Sequence, residues 1–168
     1  DLVVQVLDGI VECGCQLLVL GQGETHYENA FREAQARWPG RVSAQITYSD
    51  GLARRVYAGS DLLLMPSRSE PCGLSQMIAM RYGTVPIVRS TGGLRDTVLP
   101  PESAEGCGFV FEQYDAYHLL CEVRRAARML RQAPDEFAAL RRRGMTKDFS
   151  WDASAREYLR IYESISGR

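Results

Sequence analysis

At 168 residues the chain has room for about one domain of ordinary size, which excludes a complete two-lobed enzyme. Its 45% hydrophobic and 24% charged residues suit a domain that buries its own core and exclude a disordered or fibrous polypeptide. Twenty basic against 21 acidic side chains leave a net charge of −1, without the overall field that draws a protein to nucleic acid or to an acidic membrane surface.

The opening residues carry Leu2, Val3, Val6, Leu7 and Ile10 at helical spacing. They read as the middle of an amphipathic helix with no initiator Met and no basic leader, so the chain is expected to be part of a larger protein. The run from Gln16 to Gly21 has the length and bounds of a buried parallel strand. Thr25 to Trp38 reads as a helix closed by Pro39-Gly40, Arg41 to Thr47 as a strand, Asp50 to Ala58 as a helix and Asp61 to Met65 as a strand. Gly73 to Tyr82 follows as a helix stopped by Gly83, then Val85 to Arg89 and Gly108 to Phe111 as strands. From there the chain is helical: Tyr114 to Gln132, Pro134 to Lys147, and Trp151 to Ile165 behind Ser150 as N-cap. Five short strands alternating with helices imply an α/β, doubly wound, mostly parallel sheet with a helical C-terminal tail. A sheet of that kind holds ligands at the carboxyl ends of its strands.

The apolar runs Leu17 to Leu20 and Leu62 to Met65 are far short of the roughly 20 residues a membrane span needs. Five cysteines (Cys13, Cys15, Cys72, Cys107 and Cys121) form no CxxC, so neither a disulfide framework nor a zinc site is indicated and a reducing compartment fits. Lys147 is the single lysine among 20 basic residues. The arginines between Arg124 and Arg143 read either as solvated helix faces or as a basic docking face.

Two loops could carry chemistry. Gly21-Gln-Gly-Glu-Thr-His26 lies between a strand and a helix, where a dinucleotide fingerprint would sit, but His26 replaces the third glycine. The loop therefore reads as weak evidence for a dinucleotide site or as a plain tight turn. The more informative stretch runs from Met65 to Gly83. Its strand enters a loop bearing Glu70, and Pro71-Cys-Gly73 leads into a helix whose first amides, at Gly73, Leu74 and Ser75, form an anion site suited to a phosphate. A carboxylate beside such a site would repel phosphate. Glu70 thus reads either as an acceptor for ligand hydroxyls or as the cap of the helix.

Glu70-Pro-Cys-Gly-Leu-Ser-Gln76, Arg81-Tyr-Gly-Thr-Val-Pro-Ile-Val88 and Ser90-Thr-Gly-Gly-Leu-Arg-Asp-Thr-Val98 closely resemble bacterial glycogen synthase and plant starch synthase. The likeness extends to Asp148-Phe-Ser-Trp151 and covers essentially the whole chain, residues 1–168. It corresponds to the C-terminal, Rossmann-like, nucleotide-sugar-binding lobe of a glycosyltransferase-B fold, with the N-terminal lobe absent. The resemblance implies metal-free, cofactor-free transfer of glucose from ADP-glucose, with retention, to the nonreducing end of an α-1,4-glucan. The acceptor would bind through the missing lobe, in a bacterial cytoplasm or a plastid, with no nucleic acid or membrane as partner.

By motif, Glu70 is the expected catalytic-site carboxylate on the donor glucose, with Cys72 and Gly73 beside the same sugar and Leu74 and Ser75 donating amides to the distal phosphate. Tyr48 stands where the family packs a ring on adenine, although a tyrosine past a strand end is also an ordinary rim aromatic. Thr91, Gly92 and Gly93 match the loop near sugar and phosphate, and their plain reading is a strand-to-helix turn. Two departures matter. Ile78 stands where related transferases carry a second carboxylate for ribose, a position glycogen synthases also tend to leave without one. The Arg and Lys that neutralise the donor diphosphate lie upstream of Asp1, and neither Arg68 nor Arg89 matches them. The alternative reading is a noncatalytic module that binds nucleotide or nucleotide-sugar; a dinucleotide-dependent oxidoreductase is a distant third.

Overall fold

A computed structural model describes residues 1–167. Helices and strands alternate as α1 (Leu2–Glu12), β1 (Leu17–Leu20), α2 (Thr25–Arg37), β2 (Val42–Gln45), α3 (Asp50–Gly59), β3 (Leu62–Met65), α4 (Ser75–Tyr82), β4 (Val85–Arg89), α5 (Gly92–Thr97) and β5 (Phe109–Phe111). Three helices complete the described chain, α6 (Ala116–Gln132), α7 (Pro134–Thr146) and α8 (Trp151–Ser166). Every strand pair is parallel, which joins strands through helical crossovers and puts all loops that follow strands at one edge. The pairing is divided between a two-stranded sheet, β1-β2, and a three-stranded sheet, β3-β4-β5.

Local chemistry explains the boundaries. Asp1, Ser49, Asp115 and Ser150 each turn a side-chain oxygen onto an amide of the helix they open, supplying acceptors for donors that no helical carbonyl can reach. Gly83 ends α4 in the left-handed conformation, φ +85°, as the sequence reading expected of it. Pro86 sits inside β4 without breaking a ladder. The Val85 amide donates toward β3, so the nitrogen of Pro86 faces the β5 side, where pairing begins only at Ile87.

The main core forms where α1 lays Leu2, Val6, Leu7, Ile10 and Val11 against the strands and against Leu119, Val123 and Ala126 of α6, with Phe137 and Leu140 of α7 closing it. A second cluster, Met80, Val88, Leu94, Val98 and Cys107, packs α4 and α5 onto β4, where it supports the loops described below. β4 is buried almost throughout, as a central parallel strand should be. β1, expected to be buried as well, is only partly covered, with Leu18 43% exposed, and β3 is likewise only partly covered. The reason is a cavity of about 1030 Å³ between the two sheets, bordered by β1 and by Leu62–Leu64.

The helical tail begins at Ala116, two residues later than its periodicity indicated, and α8 buries none of its residues. No helix among the described residues is long and apolar enough to cross a membrane. The five cysteines are free thiols.

Candidate functional site

The loops after β2, β3 and β4 all leave the carboxyl edge of the strands, and they carry Tyr48, then Glu70 to Leu74, then Thr91. The loops after β3 and β4 are locked together through two glycines. The Gly93 amide donates to the Glu70 carbonyl at 3.1 Å. A Cβ on Gly93 would stand 2.0 Å from the Cys72 carbonyl oxygen, and one on Gly92, whose φ is +44°, would stand 2.1 Å from that of Glu70. Thr91, Gly92 and Gly93 are therefore more than a plain turn: they bring the start of α5 into backbone contact with residues 70–72.

Helix α4 starts at Ser75, two residues later than the sequence suggested, because Gly73 adopts φ +77° and cannot belong to a right-handed helix. The amides left without helical partners are thus those of Ser75, Gln76 and Met77, with Leu74 as the N-cap residue, and no side chain caps them. The capping alternative for Glu70 falls with that observation. Its carboxylate instead accepts from the Ser67 hydroxyl at 3.4 Å, leaving it partly exposed beside an open helix N-terminus. Cys72 and Leu74 are exposed.

Gln76 is a residue whose part in this arrangement the sequence did not reveal. It is fully buried, and its Nε2 donates to the carbonyls of Gly73 (2.9 Å) and Cys72 (3.3 Å) and contacts the Thr97 hydroxyl at 3.2 Å. Thr97 in turn donates to the Gly93 carbonyl at 2.6 Å, so a polar bridge ties the turn of α4 to α5. Its signal in the sequence was a polar residue on the face of α4 that also carries Ala79 and Met80.

Tyr48 stands apart, 82% exposed on the loop after β2, with its hydroxyl donating to Asp50 at 3.0 Å. That hydrogen bond to a carboxylate holds the phenol above its ordinary pKa. Its exposed ring remains open to stacking.

The cations near the strand edge are already engaged. Arg89 donates to the carbonyls of Arg68 (2.8 Å) and Glu112 (3.2 Å), and Arg68 lies over the Tyr114 ring at 4.9 Å and pairs with Asp1 at 3.7 Å. Tyr114, which periodicity placed inside a helix, precedes α6 and donates its hydroxyl to Asp1 at 2.7 Å. Lys147 donates to the Thr97 carbonyl at 3.1 Å, at the far end of α5. The Gly21 loop ends in α2, where His26 lies beside Tyr27 and Glu24; Glu28 supplies the acceptor for the Gly23 amide at 3.1 Å, as in a plain turn.

A parallel α/β lobe with an uncapped helix start, a neighbouring carboxylate and two glycine-clasped loops offers amide donors that an anion could meet and a carboxylate that hydroxyls could donate to. The chain belongs to the glycosyl transferases group 1, which match it over residues 1–128. It is 49% identical over 165 residues to the glycogen synthase of Thermotoga petrophila, covering 97% of this chain and 34% of that one. It is 47% identical to the glycogen synthase of Desulfitobacterium hafniense, covering 98% and 36%. Among solved structures it is similar to the catalytic domain of Starch Synthase IV from Arabidopsis thaliana bound to ADP and acarbose, with a TM-score of 0.86, 32% identity and coverage of 99% and 36%. The chain therefore spans about a third of the length of these relatives.

Proposed function

We propose that this chain is the donor-binding lobe of a glycogen or starch synthase, an enzyme that transfers glucose from ADP-glucose, with retention, to the nonreducing end of an α-1,4-glucan. The observation that carries the reading is the clasped site at residues 70–77 and 91–93, where a carboxylate borders a helix N-terminus that no side chain caps. The names of the relatives supply the substrate class.

In this reading the amides of Ser75, Gln76 and Met77, together with Leu74, face the distal phosphate of the donor. As the sugar–phosphate bond breaks, negative charge grows on the leaving diphosphate, and amides already fixed by α4 meet it without reorganising. Glu70 accepts from glucose hydroxyls, with Cys72 and Gly73 beside the same sugar. Tyr48 stacks on adenine, and Thr91, Gly92 and Gly93 hold the sugar loop at its working distance. The glucan acceptor binds to the part of the protein outside this chain. Since Arg68, Arg89 and Lys147 are spent on other partners, diphosphate neutralisation falls to groups outside the chain as well. The isolated lobe therefore binds ADP weakly: two absent charge-assisted contacts of about 1.5–3 kcal/mol each correspond to roughly two to four decades of affinity.

The test is Glu70→Gln in the full-length enzyme. The kcat for glucose transfer is expected to fall far more than the affinity for ADP measured by calorimetry, because the carboxylate meets the sugar and not the nucleotide. A loss of ADP affinity as large as the loss of rate would overturn the assignment.

A further inference from the structure

Beneath the loop that carries Glu70, the Gln76 side-chain amide is held in one orientation. Gln76 is fully buried, and its Nε2 lies 2.9 Å from the Gly73 carbonyl oxygen and 3.3 Å from that of Cys72. Both oxygens can only accept, which fixes the donor end of the amide toward them. The Thr97 hydroxyl, 3.2 Å from the same nitrogen, gives its own hydrogen to the Gly93 carbonyl and so receives Gln76 on a lone pair. Gln76 Oε1 is buried without a hydrogen-bond partner among the described residues. A Cβ on Gly73 would stand 2.6 Å from that oxygen and 2.9 Å from Nε2, so the side-chain amide lies close against the Gly73 backbone. An unpaired buried acceptor is a cost to the fold, and here it accompanies a donor end that three acceptors share.

Peptide geometry turns this contact into a direction for the donors of the turn. In a trans peptide unit the C=O and the N–H point opposite ways. The Cys72 carbonyl shares its unit with the Gly73 amide, and the Gly73 carbonyl with the Leu74 amide. Drawing both oxygens inward onto Nε2 therefore turns both amides outward. Gly73 at φ +77° followed by Leu74 at φ −108°, ψ −32° reverses the hand of the backbone within one turn, the geometry in which successive amides form a concave nest for an anion. None of the amides from Gly73 to Met77 has a protein acceptor among the described residues. We propose that Gln76, supported by Thr97, is a positioning residue for the distal phosphate of the donor: its buried side chain acts through the Cys72 and Gly73 carbonyls to aim the Gly73 and Leu74 amides. The proposal rests on the donor-site reading above and adds to it the group that sets these amides before the diphosphate arrives.

Calorimetric titration of the full-length enzyme with ADP and with AMP tests it. AMP lacks the distal phosphate, whereas a loss of folded protein lowers both affinities alike. The unsubstituted enzyme is expected to bind ADP about tenfold or more tightly than AMP, the worth of one or two amide hydrogen bonds to an anion. Gln76→Met, similar in volume and without a donor, is expected to weaken ADP binding about fivefold or more and to change AMP binding less than about twofold. Thr97→Val, which loses the hydroxyl, is expected to weaken ADP binding about threefold with AMP again unmoved, and Thr97→Ser, which keeps it, to restore the unsubstituted affinity. Equal losses of ADP and AMP affinity in Gln76→Met would overturn the proposal, and so would an unchanged ADP affinity. If Gln76→Met fails to fold, Thr97→Val decides on the same terms. An unsubstituted enzyme that binds ADP no better than AMP would overturn the donor-site reading itself, and the proposal with it.

Discussion

Substituting Gly93 by alanine probes the contact on which the site is built. The new Cβ would lie 2.0 Å from the Cys72 carbonyl oxygen and 2.8 Å from its Cα, both backbone atoms that no rotamer change can move aside. The loop after β3 must therefore retreat by more than an ångström, taking with it the Gly93 amide bond to Glu70. Overpacking of a fitted contact costs about 1–3 kcal/mol, and the lost hydrogen bond adds about 0.5–1.5 kcal/mol. Together they give a destabilisation of roughly 2–4 kcal/mol, large against a total of about 5–15 kcal/mol yet short of unfolding most domains. Urea denaturation should show a lower midpoint at an unchanged slope, and the melting temperature should fall by roughly 4–16 °C at this chain length. Gly23→Ala is the control. Nothing stands within 4 Å of its added Cβ, so its effect should stay within about 0.5 kcal/mol. A Gly93→Ala midpoint indistinguishable from that of Gly23→Ala would refute the argument that the two loops are locked by contact.

Three further outcomes bear on the same site. Gln76→Leu should destabilise the lobe by about 2 kcal/mol in urea, because two carbonyls and a hydroxyl lose the buried donor that joins α4 to α5; an unchanged midpoint would show the bridge to be idle. Tyr48→Ala should weaken ADP binding to the full-length enzyme roughly 5- to 150-fold, the worth of one base stacked on a ring. Tyr158→Ala on α8 should leave it alone, and equal effects in calorimetry would discard the platform. Cys72, exposed at the site, should react with iodoacetamide well ahead of Cys107, which is 1% exposed, and ADP-glucose should slow the Cys72 reaction alone. Labelling that ADP-glucose leaves unchanged would remove Cys72 from the donor's surroundings.

What the sequence disclosed and what it withheld divide along physical lines. Strands and helices were legible wherever one face or one run is apolar, because burial writes its period into the residues, as in α1 and β4. Glu70, Gly73, Ser75 and Gly93 were legible through a motif. The start of α4 was misplaced because glycine is compatible with both a helix and its exclusion, and the sign of one φ at Gly73 is decided by the fold. Helix α5 was legible only through the turn that opens it, being six residues held by tertiary contacts without an amphipathic period of its own. Gln76 escaped for the opposite reason: its importance lies in joining the turn at Cys72 and Gly73 to Thr97, 21 residues further on, and no local pattern encodes that link. The partial exposure of β1 and β3 was likewise hidden, since a leucine run states what a strand prefers to touch and not whether a neighbour is there.

The clasp formed by Gly92 and Gly93 has a genetic corollary. Glycine codons begin with two guanines, so any amino-acid replacement reached by a single base change at either codon installs a side chain bearing at least a Cβ. Each such replacement meets the carbonyl of Glu70 or Cys72 at about 2 Å. The two positions therefore have no neutral missense neighbours, and drift at this corner of the gene is confined to silent third bases. Relief can come only from a second mutation that withdraws the opposing loop, and that loop carries Glu70. A lineage that repaired the clash in this way would do so by moving the Glu70 carboxylate, so variation here would register as a rebuilt loop and not as a tolerated change of surface.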